Sequence, residues 1–246
     1  MSATPRPGAG PSGHGGDPRG DGLGEGRSDG LGDPRGADPQ RAVSGRQGPI
    51  DARRCALLIV DLQNDFLDPR GAYARGGAAS EAARALPAVV APVARALKQR
   101  GGYVAASLFT LWPDAGGEPM IAAHLKSLRP FLRRGDFAPG SWGQALVDLL
   151  QPVDVLVSKT AYSAFFNTQL DWILRHAGID TLAVAGIVTN GGVASTVRDA
   201  HLREYHPIVI ADGCAAFGDE VHRTALADLS TIADVTDSAA FVARLR

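Results

Sequence analysis

A chain of 246 residues, 45% hydrophobic and 21% charged, is long enough for one α/β domain of ~200 residues with a segment left over. A net charge of −1 and a pI of about 6.6 exclude the basic footprint of a nucleic-acid-binding surface. Two cysteines, Cys55 and Cys214, make neither a disulfide framework nor a zinc-ligand spacing, and no run of ~20 apolar residues or apolar N-terminal core is present. The expectation is a cytoplasmic protein whose partner is a small molecule, with no membrane or nucleic-acid partner.

The leftover segment comes first. Residues 1–48 contain 14 of the 30 glycines, no aromatic residue, and six acidic residues balanced by six arginines. Such a stretch cannot bury enough apolar surface to offset its ordering entropy. Within it, Gly16-Asp17-Pro18-Arg19-Gly20 returns as Gly32-Asp33-Pro34-Arg35-Gly36, a low-complexity echo. Residues 1–49 are therefore predicted to be a disordered Gly/Pro-rich appendage, and residues 50–246 the folded domain.

From residue 50 onward, short apolar runs rich in β-branched residues alternate with longer segments of helical period. Strands are predicted at 55–60, 103–109, 153–157, 182–188 and 208–210, each buried on both faces, and a last one at 232–235. Helices are predicted at 80–99, 142–150, 165–176, 193–204, 220–229 and from Ser238 onward. Strand followed by helix, repeated five or six times, predicts an α/β fold: a mostly parallel, Rossmann-like sheet of about six strands covered by helices on both faces. In such sheets ligands bind beyond the carboxyl ends of the strands.

Three strand ends carry candidate chemistry. Asp61 directly follows Ala56-Leu57-Leu58-Ile59-Val60, where a buried carboxylate needs a partner or a task; the alternative is a turn-forming Asp that caps local amides. Lys159 ends Val155-Leu156-Val157-Ser158, and the alternative there is a solvated lysine at a strand exit. At neighbouring strand ends the two charges can pair across one cleft. The third is Gly186-Ile187-Val188-Thr189-Asn190-Gly191-Gly192. Glycines at a helix start let an anionic group approach free backbone N–H groups, although a plain tight turn capped by Asn190 fits equally well.

Taken together, Leu58-Ile59-Val60-Asp61-Leu62-Gln63-Asn64-Asp65-Phe66, then Lys159 with Tyr162-Ser163-Ala164-Phe165, then Gly186 to Asn190 with Ser195-Thr196-Val197-Arg198-Asp199-Ala200 resemble the three signature blocks of the isochorismatase-like (cysteine) hydrolase superfamily. Their order and separations also match, and the resemblance spans roughly residues 54 to 236. It implies a hydrolase with an Asp, Lys and Cys triad in which Asp61 is the acid/base, Lys159 the lysine, and Gly192 occupies the position of the nucleophilic Cys. Thiol attack is thereby removed. Members that resemble this chain in having Gly there, the isochorismatases and aminodeoxyisochorismate hydrolases, use an Asp to protonate a vinyl ether, after which water adds. They carry Ala-His where this chain has Thr189-Asn190, a pair that resembles the amidase branch.

By the same resemblance no metal and no cofactor are expected, because the nicotinamidase branch's metal site uses an Asp and two His after the second strand and the stretch Leu108 to Asp114 has no His before His124, and a homo-oligomer is implied. Gln63, Phe66, Trp112, Tyr162 and one of Phe165 or Phe166 are expected near the substrate, with Val188, Thr189, Asn190 and Gly191 on the turn. His222 reads as a surface helical residue, Cys55 as a core residue, and Cys214 as the lowest-ranked substitute nucleophile, lying after a different strand. The leading expectation is a small-molecule hydrolase working by Asp acid/base catalysis on a vinyl ether such as isochorismate or a related substrate. Its rivals are a catalytically silent relative that binds a ligand or partner, and an amidase-branch member with altered chemistry.

Overall fold

The computed structural model describes residues 48–246, so nearly all of the predicted low-complexity appendage lies outside the described residues. Six strands, β1 Cys55–Val60, β2 Tyr103–Phe109, β3 Val155–Lys159, β4 Thr181–Ile187, β5 His206–Ala215 and β6 Asp234–Thr236, form one sheet in the order β3-β2-β1-β4-β5-β6. Every pairing is parallel. The chain winds outward from β1 to one edge, then returns to its other side with β4. The two halves thus diverge between β1 and β4, where a doubly wound sheet opens its crevice.

Alternation along β1 explains why it stands at the centre. Cys55, Leu57 and Ile59 join a core with Leu86, Val90, Val93 and Leu97 of α3 (Glu81–Gln99) and with Phe241 of α8 (Ser238–Arg244). Ala56, Leu58 and Val60 face the opposite way, into a core with α5 (Leu170–His176), α6 (Ala194–Leu202) and α7 (Asp219–Leu229). Apolar residues at both parities are what a strand with helices on each face requires. Three shorter helices, α1 (Asn64–Leu67), α2 (Ala72–Arg75) and α4 (Ala123–Leu128), belong to the excursions that leave β1 and β2.

Several sequence expectations need correction. No helix forms at 142–150; the stretch holds turns and a short 3₁₀ turn at Asp148–Leu150. Its carbonyls are taken by the segment after β1, where Asn64 N donates to Ala145 O (3.0 Å) and Asp65 N to Gly143 O (2.8 Å), while Val147 N donates to Leu62 O (3.1 Å). A helix there would forfeit these bonds. The strand β3 is not buried on both faces: it is an edge strand with Leu156 and Ser158 exposed. The fifth strand runs on to Ala215, past a register shift opposite Val184 and Gly186. Helix α5 starts at Leu170 rather than 165, because residues 163–169 are taken up by side-chain turns in which Ser163 Oγ accepts from Phe165 N and Thr168 Oγ1 donates to Ala164 O.

Candidate active site

Asp61 and Lys159 leave the carboxyl ends of β1 and β3, two strands separated by β2, and meet across it. The Lys159 Nζ to Asp61 Oδ2 distance is 2.6 Å, with both side chains almost wholly withdrawn from solvent. Lys159 also donates to Ala161 O (3.0 Å), and Ser107 of the intervening strand donates its hydroxyl to Asp61 Oδ1 (3.0 Å). Ser107 is a fully buried polar residue inside the apolar run of β2, and that anomaly is the signal by which sequence reasoning could have found it. Asp61 itself takes a left-handed backbone (φ 57°), which Asp tolerates better than most residues and which turns its carboxyl back over the strand ends.

Electrostatically the carboxyl is contested. Burial pushes the Asp61 pKa up, while the Lys159 ammonium and the Ser107 hydroxyl pull it down, and burial wins. A carboxyl raised in this manner holds its proton at a higher pH than a solvated one, as an acid catalyst must.

The third strand end closes the floor. Gly186 has φ 128°, and a Cβ there would lie 2.1 Å from Val60 O, so only glycine lets β4 approach β1 this closely. After the cis Ile187-Val188 peptide, residues Thr189–Val193 wind as a π-helical turn into α6. Gly192 stands beside the acid: a Cβ built there would be 3.5 Å from Asp61 Oδ2. The same Cβ would be 2.8 Å from the Ile187 carbonyl oxygen, closer than a carbon can sit.

These three ends open into a cavity of about 300 Å³. Asp61, Lys159, Ile187, Val188 and Gly192 line its floor, and Phe66, Tyr73, Phe109, Tyr162 and Phe217 supply most of its aromatic wall. The remaining lining includes His124, Leu125 and Arg129 from α4 and the residue after it.

Of the expected contact residues, Phe66, Tyr162 and Val188 line this cavity and the others do not. Gln63 is fully buried and spent on the backbone: its amide donates to Phe109 O (2.9 Å) and Gln144 O (2.7 Å) and accepts from Phe109 N (2.8 Å). Trp112 is half exposed outside the cavity. Phe165 packs in the core under α5 and α6, with its ring 5.8 Å from that of Tyr205, and Phe166 faces solvent. Thr189 is buried and its hydroxyl meets His222 Nδ1 at 2.8 Å, so His222 is no plain surface residue but a tie from α7 to the turn. Asn190 is exposed, and Gly191 is buried outside the lining.

Neither thiol reaches the cavity. Cys55 and Cys214 are both buried, and burial pushes each thiol up to about 12. Cys214 contacts Val184 O within the core on the α6 side. Sequence reasoning overlooked Tyr73, Arg129 and Phe217, which lie on the connections after β1, β2 and β5 where no periodic pattern says which residues fold back, and Phe109, which read only as the end of a strand. Among the described residues no group of three or more His, Cys, Asp or Glu is arranged to hold a metal ion, and no helix is long and apolar enough to cross a membrane.

Residues 55–240 match the isochorismatase domain family. The chain is 37% identical over 215 residues to a ureidoacrylate amidohydrolase, RutB, of Methylobacterium radiotolerans, covering 80% of this chain and 81% of that protein. Among solved structures it is similar to a cysteine hydrolase from Pseudomonas syringae pv. phaseolicola (TM-score 0.69, 28% identity, 80% of this chain and 94% of that one). It is also similar to N-carbamoylsarcosine amidase from Thermoplasma acidophilum (TM-score 0.60, 26% identity, 75% and 96%).

Proposed function

Since the chain belongs to the isochorismatase family of hydrolases, we propose that it splits a small substrate by acid catalysis from Asp61 and water addition, with no protein nucleophile. The observation that carries this reading is a buried carboxyl whose pKa is raised, beside a glycine, Gly192, whose Cβ would lie 3.5 Å from Asp61 Oδ2 and whose position the family resemblance gives to the nucleophile. A site without a thiol needs a substrate that becomes electrophilic on protonation. Alkenes bearing oxygen or nitrogen meet that need, because protonation at carbon leaves a cation stabilised by the heteroatom.

In the proposed step Asp61 delivers its proton to the far carbon of the alkene, water adds to the carbon bearing the heteroatom, and Asp61 recovers a proton from that water. The resulting hemiketal or carbinolamine collapses with its C–O or C–N bond broken. Lys159, held 2.6 Å from Asp61, stabilises the carboxylate in the interval when its proton is on the substrate. The apolar, aromatic wall keeps the cation from bulk solvent.

Isochorismate, an enol ether, and ureidoacrylate, the compound in the relatives' name, both have such an alkene. With isochorismate the products are pyruvate and a dihydroxylated cyclohexadiene acid. With ureidoacrylate this route releases intact urea and 3-oxopropanoate, whereas attack on the urea carbonyl releases carbamate. Purified protein is to be incubated with each compound and the products identified by mass spectrometry. Urea or pyruvate formation that disappears in Asp61→Asn supports the reading. Carbamate as the product favours the amidase-branch alternative, and no consumption of either compound leaves a silent, ligand-binding relative.

A further inference from the structure

The cavity contains a cation with no anion. Arg129, directly after α4, donates through Nε to the Tyr73 hydroxyl (3.0 Å) and through a terminal nitrogen to the Tyr162 hydroxyl (3.1 Å). Among the described residues it has no carboxylate within ion-pair distance, and the groups that act on its charge are the two phenols. Asp61, the one carboxyl lining the cavity among the described residues, is taken by Lys159 at 2.6 Å, so Arg129 has no anionic partner in the lining.

The hydrogen-bond pattern is equally one-sided. A guanidinium has five N–H groups and accepts nothing. Each phenol oxygen spends a lone pair on Arg129, leaving its own O–H to donate, and among the described residues neither phenol hydrogen has an acceptor. Tyr73 is buried, and burial pushes its pKa up, so it remains a donor. The result is a fan of donors around a planar cation, converging on a cavity that also contains the acid.

We propose that Arg129, Tyr73 and Tyr162 form a receptor for a carboxylate on the substrate, fixing the end of the molecule remote from the bond that Asp61 attacks. A carboxylate fits on two counts. It accepts from several donors at once, and its plane matches the guanidinium fork, so its charge meets the cation of the lining that has no anionic partner. Arg129 is thus a specificity-determining residue, and substrates lacking an anionic group are discriminated against because they displace water and leave the cation and both phenol hydrogens unpaired. The inference rests on the reading that this cavity receives the substrate, but not on any turnover there.

Binding without turnover separates the two. Full-length protein is titrated calorimetrically with trans-cinnamate and with its uncharged amide, cinnamamide, which share shape and aromatic surface. Wild type is expected to prefer cinnamate, and Arg129→Met to lose roughly ten- to hundredfold in cinnamate affinity with cinnamamide unchanged. Arg129→Lys should restore part of the loss. Tyr162→Phe, at a half-exposed position where folding is not at stake, should weaken cinnamate alone. Equal wild-type affinity for the two probes, equal losses for both in Arg129→Met, or no cinnamate binding overturns the receptor. Cinnamate selectivity through Arg129 in a protein that hydrolyses neither isochorismate nor ureidoacrylate leaves the receptor standing and removes the hydrolase reading.

Discussion

Adding a single methyl group at Gly192 probes the turn on which the absence of a nucleophile depends. In Gly192→Ala the new Cβ would lie 2.8 Å from the Ile187 carbonyl oxygen and 3.2 Å from Val60 Cγ1. Neither neighbour retreats easily, because Ile187 is paired to Ala215 in the sheet and Val60 ends the central strand. Overpacking of this kind costs about 1–3 kcal/mol. Against it, a glycine at negative φ loses unfolded-state freedom when replaced, a gain of about 0.4–1 kcal/mol. At mid-range the clash wins, leaving a net loss of about 1.3 kcal/mol, or a melting temperature lower by roughly 3–5 °C for a domain of this size. Calorimetric melts of wild type and variant at one pH measure it. Gly192→Cys should lose at least as much, and its thiol would arrive only by shifting the turn that places Val188. A variant that melts with or above wild type would refute the reasoning, since the turn would then accept a side chain and the glycine would no longer distinguish this site from a thiol-dependent one.

Four further outcomes concern the buried groups of the site and the sheet beside it. Activity should fall as pH rises through the elevated Asp61 pKa, because the acid form is the catalyst; replacing Lys159 by Met removes a group that lowers that pKa and should move the falling limb to higher pH in a pH–rate profile. The Asp61 carboxyl also adds stability below its unfolded pKa of about 3.9 and withdraws it as pH rises through the folded value, so urea midpoints should show this component declining upward in pH. Cys214→Ala should leave the rate unchanged and wild type should resist iodoacetamide, as both thiols are buried and pushed up to about 12; inactivation that tracks alkylation of Cys214 would contradict the thiol-free site. His222→Ala cuts the tie to Thr189 and should cost about 1 kcal/mol in a denaturation midpoint, with kcat reduced more than KM is altered. Burial pushes the His222 pKa down, so its contribution is present above about pH 6.5 and lost as pH falls toward the lower folded value.

The order of the strands, the parallel sheet and the places of Asp61 and Lys159 at strand ends were legible because each is local: a buried strand shows as an apolar run, and the residue that closes or follows it is carried at the strand's end. The helix expected at 142–150 illustrates the opposite case. Its apolar spacing is helical, but its backbone partners lie at 62–65, and no local pattern records a bond made across ~80 residues. Gln63 stood close to Asp61 in sequence and was read as a cleft residue, yet two residues' travel along the chain aims it at Phe109 and Gln144. His222 shows the same failure in reverse, as its tie to Thr189 spans 33 residues.

By itself the sequence determined a mostly parallel α/β domain with an acid and a lysine at strand ends and no thiol at the turn, because strand periodicity and residue chemistry are properties of neighbours; its resemblance to a hydrolase family implied the activity. Tertiary structure alone decided that Asp61 and Lys159 meet at 2.6 Å across an intervening strand, that burial outweighs the lysine in setting the carboxyl's pKa, and that Arg129, Tyr73 and Tyr162 converge on the same cavity. Those are matters of distance and dielectric between segments far apart in the chain. Only folding brings them close enough for electrostatics and hydrogen bonding to act.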